Sequence, residues 1–175
     1  MLYQGMNKLD NEVSKFLKQI LKSTNDKFSM YDNLHGEIIL EDFVQKRGGN
    51  SKVHLSTGSV YGIFAIKKEG ADIHKLFQET QNSIQALDEE NEVYPIYWGK
   101  DINPGSRIVV HARPNPNTGN AKLEEIEALR NFKLIYGCIF VTNYKEFEKY
   151  LHTQYPPLIG SSHGGKGSKI TIIDN

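Results

Sequence analysis

Between Lys8 and Ser23 the apolar residues fall at Leu9, Val13, Phe16, Leu17, Ile20 and Leu21. Steps of three and four place them on one stripe of an α-helix, and Asp10 and Glu12 suit its positive end. The pattern changes at Glu37 to Val44, where apolar and β-branched residues crowd together as in a strand before the basic loop QKRGGNSK. SVYGIFAI, Ser59 to Ile66, reads as a second strand closed by Lys67, Lys68, Glu69 and Gly70. Ile73, Leu76, Phe77, Ile84 and Leu87 then recur at helical intervals, which predicts a helix within Asp72 to Asn91 ahead of a strand over Val93 to Trp98.

After ARPNPNTGN the charged stretch Ala121 to Arg130 reads as a helix, and Lys133 to Thr142 as a strand buried on both faces. Lys145 to Gln154 is a final helix, stopped by Tyr155, Pro156 and Pro157. Strands alternating with helices, with no internal repeat, point to an α/β or α+β domain built on one small sheet.

The length of 175 residues leaves room for one domain with extensions. Lys plus Arg and Asp plus Glu both number 21, so a polyanion would have to be met by local basic clusters rather than by a global field. No apolar run reaches the ~20 residues of a membrane span or resembles a signal peptide, so a cytoplasmic protein without membrane contact is expected. Cys138 lies in the apolar run LIYGCIFV and reads as a buried, inert thiol.

GSSHGGKGS, Gly160 to Ser168, nearly spells a phosphate-cradling loop. Gly167 stands where the metal-binding hydroxyl belongs, and a strand-like ITIID follows where a helix is needed. The six histidines show no paired spacing of the kind zinc enzymes use. The informative segment is YWGKDINPGSRIVVH, Tyr97 to His111. Arg107 and His111 stand four apart and share a face if the segment is helical. A guanidinium fork matches phosphate oxygens, and His or Tyr can take a proton from water, so these residue types suit phosphoryl transfer.

Taken together, VYGIF with Tyr61, IYWG with Tyr97, the stretch Gly99, Lys100, Asn103 and Arg107, and the helix FEKYLHTQYPPLIG with Glu148, Leu151 and Pro157 resemble the GIY-YIG nucleases. The likeness spans roughly Ser59 to Gly160. It departs from the family pattern at Trp98, at Gly58, at Pro104 and at Gly160, where the family's terminal asparagine is expected. Thirty-six positions separate Tyr61 from Tyr97, so the likeness requires a helical insertion, 72–91, between two strands that still pair.

The resemblance implies a small, mainly antiparallel central sheet flanked by helices, with the catalytic domain at 58–160, an N-terminal extension at 1–57 and a glycine-rich tail at 161–175. It further implies a metal-dependent endonuclease acting on double-stranded DNA, in the manner of a compact type II restriction enzyme, with a homodimer as a possible form for a palindromic target. On this likeness Tyr61, Tyr97, Arg107, His111 and Glu148 are the catalytic set, Glu148 holding Mg2+ or Mn2+. Lys100, Asn103 and Arg113 contact the substrate. The basic residues Lys46, Arg47, Lys52, Lys67, Lys68, Arg113, Lys166 and Lys169 are then expected on one side. The alternatives are a nucleic-acid-binding module that keeps the fold without catalysis, and a protein-interaction domain in keeping with zero net charge.

Overall fold

The computed structural model describes residues 10–24, 28, 30–38, 58–101, 121–161 and 168–169. In chain order the elements are α1 (Glu12–Ser23), β1 (Met30–Ile38), β2 (Gly58–Lys67), α2 (Ile73–Thr80), β3 (Val93–Asp101), β4 (Phe132–Val141), α3 (Tyr144–Gln154), and the short strands β5 (Gly160–Ser161) and β6 (Ser168–Lys169). Strands β1 to β4 form one antiparallel sheet in the order β1-β4-β2-β3, and β5 pairs with β6 separately. The architecture is α+β. None of the described helices is long and apolar enough to cross a membrane.

Alternation along β2 divides the side chains between two layers. Val60 and Phe64 join Trp98, Ile135, Ile139, the α1 residues Val13 and Leu17, and the α3 residues Phe147 and Leu151. Tyr61, Ile63 and Ala65 face the other way, toward Leu76 of α2, Leu123, Leu129, Leu158 and Ile159. The apolar stripe read from α1 is thus the stripe it buries, and full burial of a side chain such as Leu17 contributes about 1.5–3 kcal/mol. Asn11 caps the helix by accepting from the Ser14 N–H at 3.1 Å, and its amide donates to the Tyr136 carbonyl at 2.7 Å, which moors α1 to β4. The helix can lie this close because Gly137 faces it: a Cβ there would fall 2.9 Å from Ser14 N, Ser14 Oγ and Val13 Cβ. Within the expected N-terminal extension, β1 therefore pairs into the same sheet as β2, β3 and β4, and α1 packs into the core on one face of that sheet.

Three elements differ from their sequence reading. The helix expected within 72–91 covers only Ile73–Thr80. Asp72 caps its start, but Gln81 takes a left-handed conformation at φ 53° and ends it, with the Thr80 hydroxyl bonded back to the Leu76 carbonyl at 2.8 Å. Ile84 and Leu87, which completed the helical spacing, pack instead into the two different layers. The helix expected over 121–130 is two 3₁₀ turns, Leu123–Glu125 and Glu127–Asn131, separated by Ile126 in extended backbone. The strand expected from Glu37 is Met30–Ile38; its remaining expected part, 39–44, lies outside the described residues.

β4 is central, flanked by β1 and β2, and its side chains are buried except at Lys133 and Tyr136. β2 and β3, joined through α2, pair along their length despite the distance between them in sequence, with one register shift between Ile63 and Phe64. After α3 the chain turns along β3, and the Leu158 and Ile159 N–H groups donate to the Pro95 and Ile96 carbonyls, each at 2.9 Å.

Candidate functional site at the end of β3

Tyr61 pairs across the ladder with Gly99, and Ile63 with Tyr97. Directly opposed residues share a face, so both tyrosines enter the layer that α2 covers. Their rings lie 6.2 Å apart at 30°, and the residues are 1% and 7% exposed. The Tyr61 ring lies across Gly99, where a Cβ would fall 2.3 Å from Cζ and Oη. Glycine at this position is what allows the hydroxyl to reach the outer strand. The motif glycine therefore has a packing reason visible in the geometry.

Lys100 follows immediately and faces the opposite layer, opposite Val60. There it meets α3, whose buried side carries Phe147, Glu148 and Leu151. The Lys100 ammonium donates to Glu148 Oε2 at 2.9 Å, and His152 Nε2 lies 3.1 Å from Glu148 Oε1. Glu148 and His152 are four residues apart on one helix, which aligns the two side chains. Burial alone pushes the Glu148 carboxyl up, but the hydrogen bonds from His152 and Lys100, together with their charge, hold it below the usual carboxylate range. A carboxylate that is 2% exposed is tolerable only with such partners. Glu146, two residues earlier, is exposed, so of the two α3 glutamates in this turn only Glu148 faces inward.

Four of the expected site residues are thus gathered about Gly99 and Lys100, but from two sides of the sheet. Tyr61 and Tyr97 lie in the α2 layer, and Lys100 with Glu148 lies in the α1 and α3 layer. β3 is an outer strand, and its end is fastened by the Ser59 hydroxyl donating to the Asp101 carbonyl at 2.6 Å. Asn103, Arg107, His111 and Arg113 come directly after β3 and lie outside the described residues.

His152 was missed by sequence reasoning. The signal was present as a Glu and a His at helical spacing in FEKYLHTQ, but a search for paired histidines passes over it. Trp98, a departure from the family pattern, is a core residue: it is fully buried, stacks on Phe16 at 5.8 Å and donates from Nε1 to the Tyr155 carbonyl at 2.7 Å. The expected gathering of basic residues is not seen at Lys67, which is bonded to Glu92 at 2.9 Å. It stands seven residues along β2 from the partner of Lys100, about 23 Å at the usual rise per residue. Lys46, Arg47, Lys52 and Lys166 lie outside the described residues, as does the glycine-rich segment 162–167 between β5 and β6.

The donor set was tested against the divalent cation that the resemblance implies. Among the described residues no group of three or more His, Cys, Asp or Glu could hold a metal ion. Glu148 offers one hard carboxylate, but both of its oxygens are taken, and the Lys100 ammonium stands where a cation would approach Oε2. In this arrangement the residues do not fit a divalent ion. Comparison with protein families, with curated proteins and with solved structures gives no match for this chain, so its likeness to the GIY-YIG nucleases rests on the quoted motif residues alone.

Proposed function

We propose that the protein is an endonuclease of the GIY-YIG kind that hydrolyses phosphodiester bonds in double-stranded DNA, in the manner of a compact restriction enzyme. The observation that carries this reading is the pairing of β2 with β3: it sets the Tyr61 and Tyr97 rings 6.2 Å apart, beside Gly99, although the tyrosines are 36 positions apart in sequence. A phosphate at this strand end would meet Lys100, and Arg107 follows β3 in the sequence.

The chemistry follows from residue type. A water oxygen attacks phosphorus, the water proton passes to Tyr61 as its phenolate, to the neutral His111 imidazole or to both, the bond from phosphorus to the leaving sugar oxygen breaks, and that oxygen takes up a proton from solvent. Arg107 holds the phosphate oxygens and stabilises the charge that grows on them, with Lys100 adding positive potential. Tyr97 positions the phosphate, and Asn103 and Arg113 hold the flanking backbone. Mg2+ or Mn2+ on Glu148 belongs to this proposal as the group that would help the departing oxygen, but with Lys100 in its present place no step is assigned to it. A homodimer would suit a palindromic target.

The full ion pairing of Glu148 favours a second reading, a nucleic-acid-binding module without catalysis. One experiment separates the two. Supercoiled plasmid is incubated with the protein and Mg2+ or Mn2+, beside an EDTA control and the Arg107→Ala variant. Cutting that EDTA stops and Arg107→Ala slows supports the nuclease. Salt-dependent binding without cutting assigns the module, and neither binding nor cutting removes both readings.

A further inference from the structure

We infer that the outward face of α1 and α3 is where a DNA duplex lies, with the exposed lysines Lys15, Lys22, Lys145 and Lys149 holding its phosphates. This rests on the proposed function for the identity of the duplex and adds the surface that meets it.

Both helices pack on one side of the sheet, in the layer that holds Val60, Trp98 and Ile139. Phe16 of α1 meets Tyr155, at the end of α3, with ring centroids 5.0 Å apart, so the helices are neighbours there. Each buries its apolar stripe and turns the opposite side to water. Lys15 and Lys22 stand seven residues apart on α1, and Lys145 and Lys149 four apart on α3, so each pair shares a face of its helix. All four are exposed. Lys100 enters the same layer and is bonded to α3 through Glu148, so the α3 row adjoins the candidate site.

The two sides of the sheet hold their cations differently. On the α2 side Lys67 is bridged to Glu92, Lys75 to Glu79 and Glu127, and Lys122 to Glu125, while Arg130 is not bridged. Among the described residues Lys15, Lys22, Lys145 and Lys149 have no carboxylate within bridging distance. The exposed acids of the two helices, Glu12 and Glu146, sit in the first turns, where they complement the helix N-termini. A net charge of zero therefore conceals an uneven distribution. An unpaired ammonium keeps its charge for an outside anion, and four of them spread over two helices suit the repeated charges of a phosphate backbone.

The test follows binding of a fluorescent mixed-sequence DNA duplex by anisotropy, in EDTA, between about 50 and 200 mM salt. The variant K15Q/K22Q/K145Q/K149Q is compared with the unaltered protein and with K67Q/K75Q/K122Q/R130Q, which removes the same formal charge from the α2 side. Circular dichroism shows that each is folded. Each phosphate contact contributes about 0.9 to the slope of log affinity against log salt, so the first variant is expected to lose about 3 to 4 in slope and the second less than about 1. A first variant that keeps its slope, or two variants that lose slope equally, overturns the proposal alone, since the unaltered protein still binds. No salt-dependent binding by the unaltered protein overturns it together with the proposed function. Loss confined to the first variant, in a protein that leaves plasmid uncut, supports the proposal and removes the nuclease reading alone.

Discussion

The Tyr61 ring occupies the space that a side chain at Gly99 would need, with Cζ and Oη both 2.3 Å from the position of a Cβ there. The contact joins β2 to β3. Gly99→Ala is expected to destabilise the protein by about 1–3 kcal/mol, the usual cost of overpacking. Combined with Tyr61→Ala, which empties the space, the same glycine substitution costs clearly less. Urea denaturation of the two single variants and the double variant measures the difference; equal costs in both backgrounds would show that the ring is not what excludes the side chain.

The Glu148 carboxyl titrates below its ordinary value in the folded chain. Its contribution is therefore complete above the unfolded-chain value of 4.5 and is lost as pH falls through the lower folded value. The urea midpoint of the unaltered protein should drop over that acidic window, and the drop should be smaller in Glu148→Gln, which has no proton to take up there. At neutral pH, Lys100→Met should be the costlier change, by about 3 kcal/mol, because it leaves a buried carboxylate with His152 alone. In Glu148→Gln the half-exposed lysine can turn to water.

Within the proposed reaction, Arg107→Ala is expected to lower the rate of plasmid cutting by about 10²–10³, the effect of removing one donor from developing charge. Tyr61→Phe and His111→Ala divide the proton acceptor between them. The true base shows a loss of about 10²–10⁴, and the other residue shows much less. Single-turnover cutting rates decide this, and a normal rate in both variants would remove both residues from the role.

Gly137 is the contact that lets α1 approach the sheet. Gly137→Ala puts a methyl 2.9 Å from the Ser14 N–H that Asn11 caps, so the cap and the helix position are disturbed together. A loss of about 1–3 kcal/mol is expected. Faster amide exchange through α1 than through α3 would locate the effect.

The helices α1 and α3 were legible because each buries the side that its helical spacing marks, and the strands β2 and β4 because each is a short, nearly unbroken apolar run of the kind that a strand buried on both faces needs. β1 was displaced because MYDNLHGEI has little of the apolar density that marks a strand, and its position comes from the ladder to β4. The helix within 72–91 was overread because Ile84 and Leu87 keep helical spacing while serving opposite layers. At the candidate site, Tyr61, Tyr97 and Glu148 were singled out through the spacing of the resemblance. That the tyrosines and the carboxylate lie in different layers was not legible, since sequence order carries no information on which side of a sheet a distant helix packs. The bond between Glu148 and Lys100 joins residues 48 positions apart, and only the packing of α3 against β3 brings them within reach.

Trp98 is the one tryptophan in the chain, and it is sealed between Phe16 of α1 and the Tyr155 carbonyl at the end of α3. The protein therefore carries an intrinsic fluorophore at the seam where α1 and α3 meet the outer strand. Its emission should be blue-shifted while that seam is dry and should move to the red when α1 lifts away, reporting early loosening of the molecule without any added label.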